Sequence, residues 1–400
     1  MGRIVLPVPA AVAGVAAGAA VAAGALAALS GSLLRAKITD AGRSRRLVPI
    51  QGSGQAAGRE YLEFSPDGFA AHPGRLSMRA ASGGDLVVLG PATIAGDRLR
   101  RVVERGSASD LLRDGSGQLS GHLGESPADF GYPHEETLIA GLPAWVIPPG
   151  SPEASSGVWV IHVHGLGSSR SQCLRGVEAF AGLGCTSLLP SYRTSLDVSP
   201  EPDHSHLGIS EWRDIEAARR YALARGARAV VFVGWSLGAS IVLRTVAHAA
   251  DNSTAGVVLV SPALDWPAII SAQLQGLGCP RIIAKLLPHT VNLLRPQGDP
   301  VIRWKEMPGT YMQKHSTIPT MILHGTEDKS VPVELSRMFV SRQSQPVRFV
   351  EFEGAHHTLE WNAAPQLWNQ SVQAWCRSLG LNAGKDLIDV RFGGEIHHGR

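Results

Sequence analysis

The sequence predicts an α/β fold, in which a mainly parallel β-sheet carries helices on both faces. Two observations between about residue 128 and residue 380 support this prediction. Short apolar runs alternate there with longer segments that have helical spacing. Residues 158–163 are apolar except for His162, which is typical of a strand buried on both faces. Strands and helices that alternate at this spacing indicate a parallel sheet.

The elements of this region follow in a regular order. A hairpin comes first, with strands at 136–139 and 142–147 around a turn at Gly141. The other predicted strands lie at 158–163, 186–189, 229–233, 256–260, 318–323 and 347–352. The predicted helices lie at 171–182, 211–225, 239–250, 333–343 and 363–379. Residues 261–316 break the alternation and are predicted to form an insertion.

The first 35 residues differ in composition from the rest of the chain. No charged residue lies between Ile4 and Leu34, and this stretch is long enough to span a bilayer, which takes about 20 apolar residues. We therefore predict a membrane anchor over residues 1–35, with the basic residues that follow, and the rest of the chain, in the cytoplasm. Two alternatives stay open: a signal peptide cleaved near Ala25-Leu26-Ala27, followed by secretion, and a buried core helix.

Residues 36–127 are predicted to be a linker and a small β-rich accessory region. Turn sequences such as Pro66-Asp67-Gly68 separate short β-like runs in this region. The runs lie at 60–64, 75–79, 85–89 and 99–103. The α/β domain then occupies residues 128–380, and residues 381–400 are expected to be a mobile tail.

Charge and cysteine content exclude several classes of function. The 37 basic and 34 acidic residues give a net charge of +3, without the concentrated basic face of a nucleic-acid-binding protein. The four cysteines, Cys173, Cys185, Cys279 and Cys376, form no CxxC pair and no metal-like spacing with histidines. We expect them to be buried free thiols. No metal site is predicted, and the sequence does not indicate an oligomeric state.

A single serine lies between two glycines where the strand at 229–233 meets the helix at 239–250. The motif is Gly234-Trp235-Ser236-Leu237-Gly238, a G-x-S-x-G. In a sharp strand-to-helix turn, glycines on either side leave room for neighbouring backbones, and the serine oxygen is lifted clear of the sheet. The N-terminus of the following helix favours an oxyanion. Ser236 is therefore predicted as a nucleophile, and the Leu237 N–H as an oxyanion donor.

Three further motifs end predicted strands at the same edge of the sheet, where α/β folds bind their ligands. His162-Val163-His164-Gly165-Leu166-Gly167 offers the Leu166 N–H as a second oxyanion donor, with His164 in a structural role. His324-Gly325-Thr326-Glu327-Asp328 offers a carboxylate that could orient a histidine, and Asp328 is preferred to Glu327. Glu353-Gly354-Ala355-His356-His357 offers a base for the serine, and His357 is preferred to His356.

These four motifs resemble those of the α/β-hydrolase superfamily, in its serine-hydrolase branch of esterases and peptidases. The resemblance covers residues 128–380 and implies the α/β-hydrolase fold, with a small lid at about 261–316. Ser236, Asp328 and His357 match the family's order of nucleophile, acid and base. The sequence departs from the family at His356, where a second glycine is usual before the histidine.

The resemblance implies acyl transfer from a small-molecule substrate to water, with no metal or organic cofactor. Hydrolysis of carboxylic esters is the leading hypothesis. A peptidase or amidase of the same fold is an alternative, although the β-like residues before the domain are too few for the propeller of many such peptidases. A non-catalytic binding protein that retains the fold is a third possibility.

Candidate substrate contacts are Trp235, Tyr192 and Arg193. Arg193 either faces a substrate carboxylate or forms a salt bridge. Apolar residues of the predicted lid either pack on the core or form a wall for an acyl chain. These residues are Trp266, Leu274, Leu277, Ile282, Ile283, Leu286, Leu287, Val291, Leu293 and Leu294.

Overall fold

Two β-sheets organise the chain, and each is built from a different stretch of the sequence. The computed structural model describes residues 29–40, 47–150, 155–198, 204–249, 252–295, 297, 300–307 and 317–382. The first sheet lies within residues 47–120 and the second within residues 135–352. The change from one sheet to the other is consistent with the domain boundary at residue 127, which stays a prediction.

The first sheet, here called the accessory sheet, is entirely antiparallel. Its strands are β1 Leu47–Pro49, β2 Gly52–Ala56, β3 Arg59–Phe64, β4 Leu76–Ala80, β5 Gly83–Leu89, β6 Thr93–Ala95, β7 Arg98–Arg105 and β8 Ser116–Ser120. They lie in the order β1-β8-β4-β5-β7-β3-β2, and β6 pairs with β7. The predicted β-rich region is confirmed, and the four predicted runs correspond to β3, β4, β5 and β7. The other four strands were not predicted because they are either three residues long or rich in Gly, Ser and Gln, which have little β-propensity.

The second sheet is mainly parallel, as predicted. Its strands are β9 Glu135–Ile139, β10 Leu142–Ile147, β11 Val158–Val163, β12 Thr186–Pro190, β13 Ala229–Trp235, β14 Thr254–Val260, β15 Thr320–Gly325 and β16 Val347–Phe352. The order is β16-β15-β14-β13-β11-β12-β10-β9. Strands β11 to β16 are parallel, and the β9–β10 hairpin adds two antiparallel strands at one edge. The carboxyl ends of the six parallel strands therefore meet at one edge of the sheet.

Helices cover both faces of the parallel sheet, and one short helix packs on the accessory sheet. The helices are α1 29–39, α2 Ser109–Asp114, α3 Val177–Ala181, α4 Trp212–Ala224, α5 Leu237–His248, α6 Trp266–Gly276, α7 Arg281–Leu286, α8 Val333–Ser341, α9 Glu360–Ala363 and α10 Pro365–Ser378. Of these, α2 packs on the accessory sheet, and its Leu111 is part of that sheet's core. Successive strand residues point to opposite faces of the sheet, and each face has its own hydrophobic core. Val160 lies in the core with residues of α3 and α10, whereas Ile161 lies in the core with residues of α4, α5 and α8. This alternation explains why the strands are apolar along their whole length.

The helix predicted at 171–182 begins as a 3-10 helix, Arg170–Gly176, and continues as α3. A 3-10 turn brings side chains three residues apart to the same side. Gln172 and Arg175 have this spacing, and both bond to loops at the sheet edge. The Gly165 N–H donates to Gln172 Oε1 at 2.7 Å, and Arg175 donates to the Thr358 carbonyl at 3.0 Å.

The accessory sheet packs against the segment that follows β16. The Asn362 amide donates to the carbonyls of Arg75, at 2.8 Å, and Gly121, at 3.0 Å. A Cβ at Gly74 would lie 1.8 Å from the Asn362 carbonyl oxygen, so only glycine permits this approach. The side chain of Leu359 completes the core of the accessory sheet. These contacts place the accessory sheet beside the carboxyl ends of the parallel strands.

Of the apolar N-terminal segment, the structure describes only the residues from 29 onward, which begin α1. Buried Arg35 ties this helix to the insertion, because it donates to the Pro300 carbonyl at 3.0 Å. Within the described residues, no helix has both the length and the apolar composition needed to cross a bilayer. Residues 1–28 lie outside the described residues, so the anchor, the signal peptide and the cytoplasmic location stay predictions.

The cysteines are free thiols, as expected. Cys173, Cys185 and Cys376 are buried, but Cys279 is partly exposed, so the expected burial is wrong at that position. Cys279 lies in the short loop between α6 and α7, which also contains exposed Leu277.

Candidate active site

Ser236 lies in a sharp turn between β13 and α5. Its backbone has φ 53° and ψ −113°, a conformation that costs a non-glycine residue free energy. A Cβ at Gly234 would lie 2.6 Å from Ala239 Cα, and one at Gly238 would lie 2.1 Å from the Val163 carbonyl oxygen. Both glycines are therefore required by close backbone contacts. The turn holds Ser236 at the carboxyl edge of the parallel sheet.

The structure brings Ser236, His357 and Asp328 into one hydrogen-bonded chain. His357 Nε2 lies 2.9 Å from Ser236 Oγ, and His357 Nδ1 lies 2.6 Å from Asp328 Oδ2. Asp328 follows β15 and His357 follows β16, so neighbouring strand ends supply them. The two alternative residues, Glu327 for the acid and His356 for the base, are not part of this chain of hydrogen bonds. Glu327 is exposed, and the His356 ring packs on His72 at 5.3 Å between ring centroids.

The charged forms of Asp328 and His357 stabilise each other. Burial alone would raise the pKa of Asp328, but the charge of His357 and hydrogen bonds from both His324 and His357 hold it well below its usual range. Burial alone would lower the pKa of His357, but Asp328 outweighs it, and the pKa is raised above the ordinary 6.5. Asp328 is thus ionised, and it stabilises the protonated form of His357.

The two predicted oxyanion donors lie on either side of Ser236. Leu237 is the first residue of α5, and an N–H in the first turn of a helix has no intrahelical partner. Leu166 lines the same cavity as Ser236. A Cβ at Gly165 would lie 3.2 Å from Ser236 Cβ, so this loop approaches the serine closely. Tyr192 supports the loop, because its hydroxyl donates to the Gly165 carbonyl at 3.0 Å.

Three residues that the sequence reasoning missed surround Asp328: His324, Ser261 and Glu360. His324 Nε2 lies 3.2 Å from Asp328 Oδ2. Ser261 Oγ lies 2.9 Å from Asp328 Oδ2, 2.5 Å from Glu360 Oε1 and 3.1 Å from the Thr358 amide nitrogen. All three are fully buried. Ser261 follows β14 directly, so the rule that ligands gather at strand ends would have found it.

Strain is concentrated around this cluster. Ser261 has φ 44° and Thr358 has φ 57°, both in the left-handed region that favours glycine. Such positions persist only where the surroundings fix them, and they are common at functional sites. The contact between the Thr358 amide and Ser261 Oγ joins the two strained residues. Burial raises the pKa of Glu360, which favours its neutral form.

The accessory sheet forms one wall of the cavity over Ser236. This cavity has a volume of about 300 Å³ and contains Ser236, His357, Leu166 and Thr358. The accessory region contributes Phe69, Leu119, Ser120, Gly121 and His122 to its lining. This role could not be predicted, because residues 36–127 contain no catalytic motif and lie far from His357 in the chain.

None of the three predicted substrate contacts lines the cavity at Ser236. Trp235 is fully buried and stacks on Trp368 at 6.0 Å, because successive strand residues point in opposite directions and Ser236 takes the open side. Tyr192 is buried and stacks on His164 at 4.2 Å between ring centroids. Arg193 forms the salt bridge of the second alternative, with two nitrogens 2.9 and 2.7 Å from the Asp214 carboxylate.

The predicted lid does not form an acyl wall in the described part of the chain. No described residue of 261–316 lines the cavity at Ser236. Trp266 and Val291 are buried in the core, as in the first alternative. Other residues of the set are exposed: Leu277, Ile282, Ile283, Leu286, Leu293 and Leu294.

His162 and His164 are structural histidines, as expected. His162 Nε2 lies 3.2 Å from Ser187 Oγ, and burial lowers the pKa of His162 to about 3. His164 Nε2 lies 2.6 Å from Ser195 Oγ, and burial lowers the pKa of His164 to about 4. Both are neutral at physiological pH, and neither contacts Ser236.

The sequence profile of the alpha/beta hydrolase family matches residues 160–369. The chain belongs to this family, and the predicted fold and enzyme class, a hydrolase, are confirmed. A comparison with curated proteins gave no match.

Solved structures share the fold at low sequence identity. An esterase from Pyrococcus furiosus is 18% identical over 64% of this chain and 94% of its own, with a TM-score of 0.50. Esterase 2 from Thermogutta terrifontis is 19% identical over 64% and 95% of the two chains, with a TM-score of 0.46. An alpha-beta serine hydrolase homologue from Coxiella burnetii is 18% identical over 60% and 96%, with a TM-score of 0.41.

Proposed function

We propose that this hydrolase cleaves carboxylic esters through an acyl-enzyme on Ser236. The observation that carries the proposal is the chain of hydrogen bonds from Ser236 Oγ through His357 to Asp328, at 2.9 and 2.6 Å. A serine hydroxyl is a weak nucleophile without an adjacent base, and a base is effective only when a third group orients it. All three parts are within hydrogen-bond distance here.

The reaction would proceed in two halves. Ser236 Oγ attacks the ester carbonyl carbon while its proton passes to His357 Nε2, and the carbonyl oxygen becomes an oxyanion that accepts from the amides of Leu166 and Leu237. The intermediate collapses, the bond to the alcohol oxygen breaks, and His357 returns the proton to that oxygen. Water then attacks the acyl-enzyme with His357 again as base, releasing the acid and free Ser236.

Ser261 and Glu360 hold Asp328 in position in this mechanism. The hydroxyl of Ser261 has one proton but lies within hydrogen-bond distance of two carboxyl groups. A neutral Glu360 resolves this conflict, because its carboxyl O–H can donate to Ser261 Oγ. Ser261 Oγ then accepts from Glu360 and from the Thr358 N–H, and its own proton is donated to Asp328. Glu360 Oε2 is buried without a partner among the described residues, which would be costly for an ionised carboxylate.

Paired charges support an ester substrate over a peptide. A peptidase that recognises a chain terminus needs a charged group to hold the amine or the carboxylate. Arg193 is held by Asp214, at 2.7 Å, and Arg170 lies 3.2 Å from Asp197. Arg175, which lines the cavity at Ser236, is buried and donates to the Gln172 carbonyl at 3.2 Å and the Thr358 carbonyl at 3.0 Å. The non-catalytic alternative is weakened by the hydrogen-bonded geometry at Ser236, which a binding protein does not need.

Active-site labelling tests the proposal directly. The purified protein is expected to hydrolyse p-nitrophenyl acetate and to react with a fluorophosphonate at Ser236, with about one label per chain. Peptide mapping by mass spectrometry locates the label. Hydrolysis without labelling at Ser236 would contradict the assignment of the nucleophile, and the absence of both would contradict the proposed function.

The pH dependence of kcat/KM is expected to follow His357. The base must be neutral, so activity falls as pH decreases through the pKa of His357 in the free enzyme. Because Asp328 raises that pKa, the midpoint of the acidic limb is expected above 6.5. Measuring kcat/KM for p-nitrophenyl acetate from pH 5 to pH 9 checks this. A midpoint below 6.5 would contradict this expectation, because burial of His357 would then outweigh the charge of Asp328.

A further inference from the structure

A second cavity of about 510 Å³ lies next to the first one. The two share Ser120, His122, Gly167 and Ser168 in their linings, and the second contains none of Ser236, His357 or Asp328. Its size lies within the range of small-molecule sites, about 300–1,000 Å³. We call it the side cleft. Its polar lining includes Arg79, Gln118, Ser120, His122, Ser169 and Asp197.

The accessory sheet and the parallel-sheet region form opposite walls of the side cleft. Arg79, Gln118 and Ser120 come from β4 and β8 of the accessory sheet. The loop after β11 and residues Leu196 and Asp197 form the other wall. His122 joins the walls, because its ring nitrogens lie 3.2 Å from Ser168 Oγ and 3.3 Å from Ser171 Oγ. The cleft therefore exists only because the accessory sheet is docked beside the strand ends.

The charged side chains of the cleft are already paired. Arg79 forms an ion pair with Glu125, which also lines the cleft. Asp197 lies 3.2 Å from Arg170 and accepts a hydrogen bond from Ser191 at 2.8 Å. A carboxylate or phosphate ligand would need a cation that is not already paired, and the described lining does not supply one. The ligand group that fits is therefore neutral.

The remaining lining is rich in hydroxyl groups. Four serines, one glutamine and one histidine line the cleft, and only Leu86 and Leu196 are large apolar residues. An acyl chain here would remove water from these groups without replacing its hydrogen bonds, which is unfavourable. A ligand with several hydroxyl groups would replace those hydrogen bonds.

We propose that the side cleft binds a neutral, hydroxyl-rich part of the ester substrate, as in an acylated sugar or polyol, or a polyhydroxy acid ester. This inference rests on the proposed ester hydrolysis at Ser236. The hydroxyl groups belong either to the alcohol or to the acyl part of the ester, and matched substrate pairs distinguish the two sources.

Two pairs of substrates test the proposal. Methyl 6-O-acetylglucoside is compared with cyclohexylmethyl acetate for the alcohol part, and methyl gluconate with methyl hexanoate for the acyl part. The hydroxylated member of at least one pair is expected to have a kcat/KM at least about tenfold higher, as two or more added hydrogen bonds would give. The pair that shows the preference identifies the part of the ester that enters the cleft.

Variants in the cleft locate the origin of that preference. Ser169→Val removes a hydroxyl, whereas Ser169→Thr has nearly the same shape and keeps it. Gln118→Leu changes the cleft, and Gln55→Leu makes the same change on exposed β2 of the accessory sheet. Ser169→Val and Gln118→Leu are each expected to lower the substrate preference by about two- to tenfold, and their matched controls to preserve it.

Hydrolysis of p-nitrophenyl acetate separates this proposal from the proposed function. All four variants are expected to keep that activity, because the small ester needs only the cavity at Ser236. If the wild type hydrolyses it but prefers the alkyl member of both pairs, the side-cleft proposal is wrong. It is also wrong if the preference is unaffected by Ser169→Val and Gln118→Leu. If the wild type neither hydrolyses p-nitrophenyl acetate nor labels at Ser236, the proposed function itself fails.

Discussion

Replacing Ser236 with alanine is expected to lower kcat/KM for p-nitrophenyl acetate by about 10⁴- to 10⁶-fold. The variant loses the only atom that can form the acyl-enzyme, while His357, Asp328 and the two amides stay in place. The loss is expected in kcat, because the serine forms its bond only in the reaction and contributes little to substrate binding. Steady-state hydrolysis and fluorophosphonate labelling, which should be absent in Ser236→Ala, measure this effect.

Ser240→Ala provides a matched control for this experiment. Ser240 is a buried serine of α5, about one turn after Ser236, and its hydroxyl donates to the Ala263 carbonyl at 2.5 Å. This variant is expected to keep its activity and its labelling, at some cost in stability. Equal losses in the two variants would indicate a folding defect of α5. Retained activity in Ser236→Ala, with the control also active, would exclude Ser236 as the nucleophile.

The contact between Ser236, Asp328 and His357 could be predicted because each residue lies at or just beyond the carboxyl end of a strand. Parallel strands align their carboxyl ends, so residues far apart in the chain meet at one edge of the sheet. β15 and β16 are neighbours, and β14 lies between β15 and β13. Strand positions were easy to recognise because both faces of the sheet are buried, which makes the runs apolar throughout.

The cavity wall could not be predicted, because it depends on how two sheets pack against each other. His122 and Phe69 lie in turns of the accessory region, and nothing in their neighbouring sequence indicates a functional site. Their position follows from contacts such as Asn362 with Gly121, which join residues 241 positions apart. Trp235 and Tyr192 are buried away from the cavity for a related reason, since closeness in sequence to a site does not determine the direction of a side chain.

Two substitutions of the buried residue Glu360, to alanine and to glutamine, are expected to differ strongly in their effect on activity. Glu360→Ala removes the partner of Ser261, so the Ser261 hydroxyl no longer has a fixed orientation and Asp328 is held less firmly. We expect kcat and kcat/KM to fall together, by about 10- to 100-fold, as for a misplaced catalytic group. Glu360→Gln keeps a neutral side chain of the same shape with an N–H that donates to Ser261. Its kcat/KM is expected within about threefold of the wild type.

The acidic limb of the pH profile shows whether Glu360 is neutral in the free enzyme. The titratable and charged groups that act on Glu360, or on which its charge would act, are Asp328, His324, His357 and Arg175. If Glu360 is neutral, Glu360→Gln removes no charge. The acidic midpoint of the kcat/KM profile, which His357 sets, then has the same value as in the wild type. An ionised Glu360 would help to raise the pKa of His357, so the glutamine variant would shift the midpoint to lower pH.

Ser261→Ala completes the comparison, because it removes the hydroxyl that links Glu360 to Asp328. It should reproduce the loss in Glu360→Ala, and the double variant should lose little more than either single variant, since both act through the same hydrogen bond to Asp328. Additive losses in the double variant would mean that Glu360 acts on the triad independently of Ser261. A downward shift of the midpoint in Glu360→Gln would instead show that Glu360 acts through its charge, and the Ser261 hydroxyl would then donate to Glu360 rather than to Asp328.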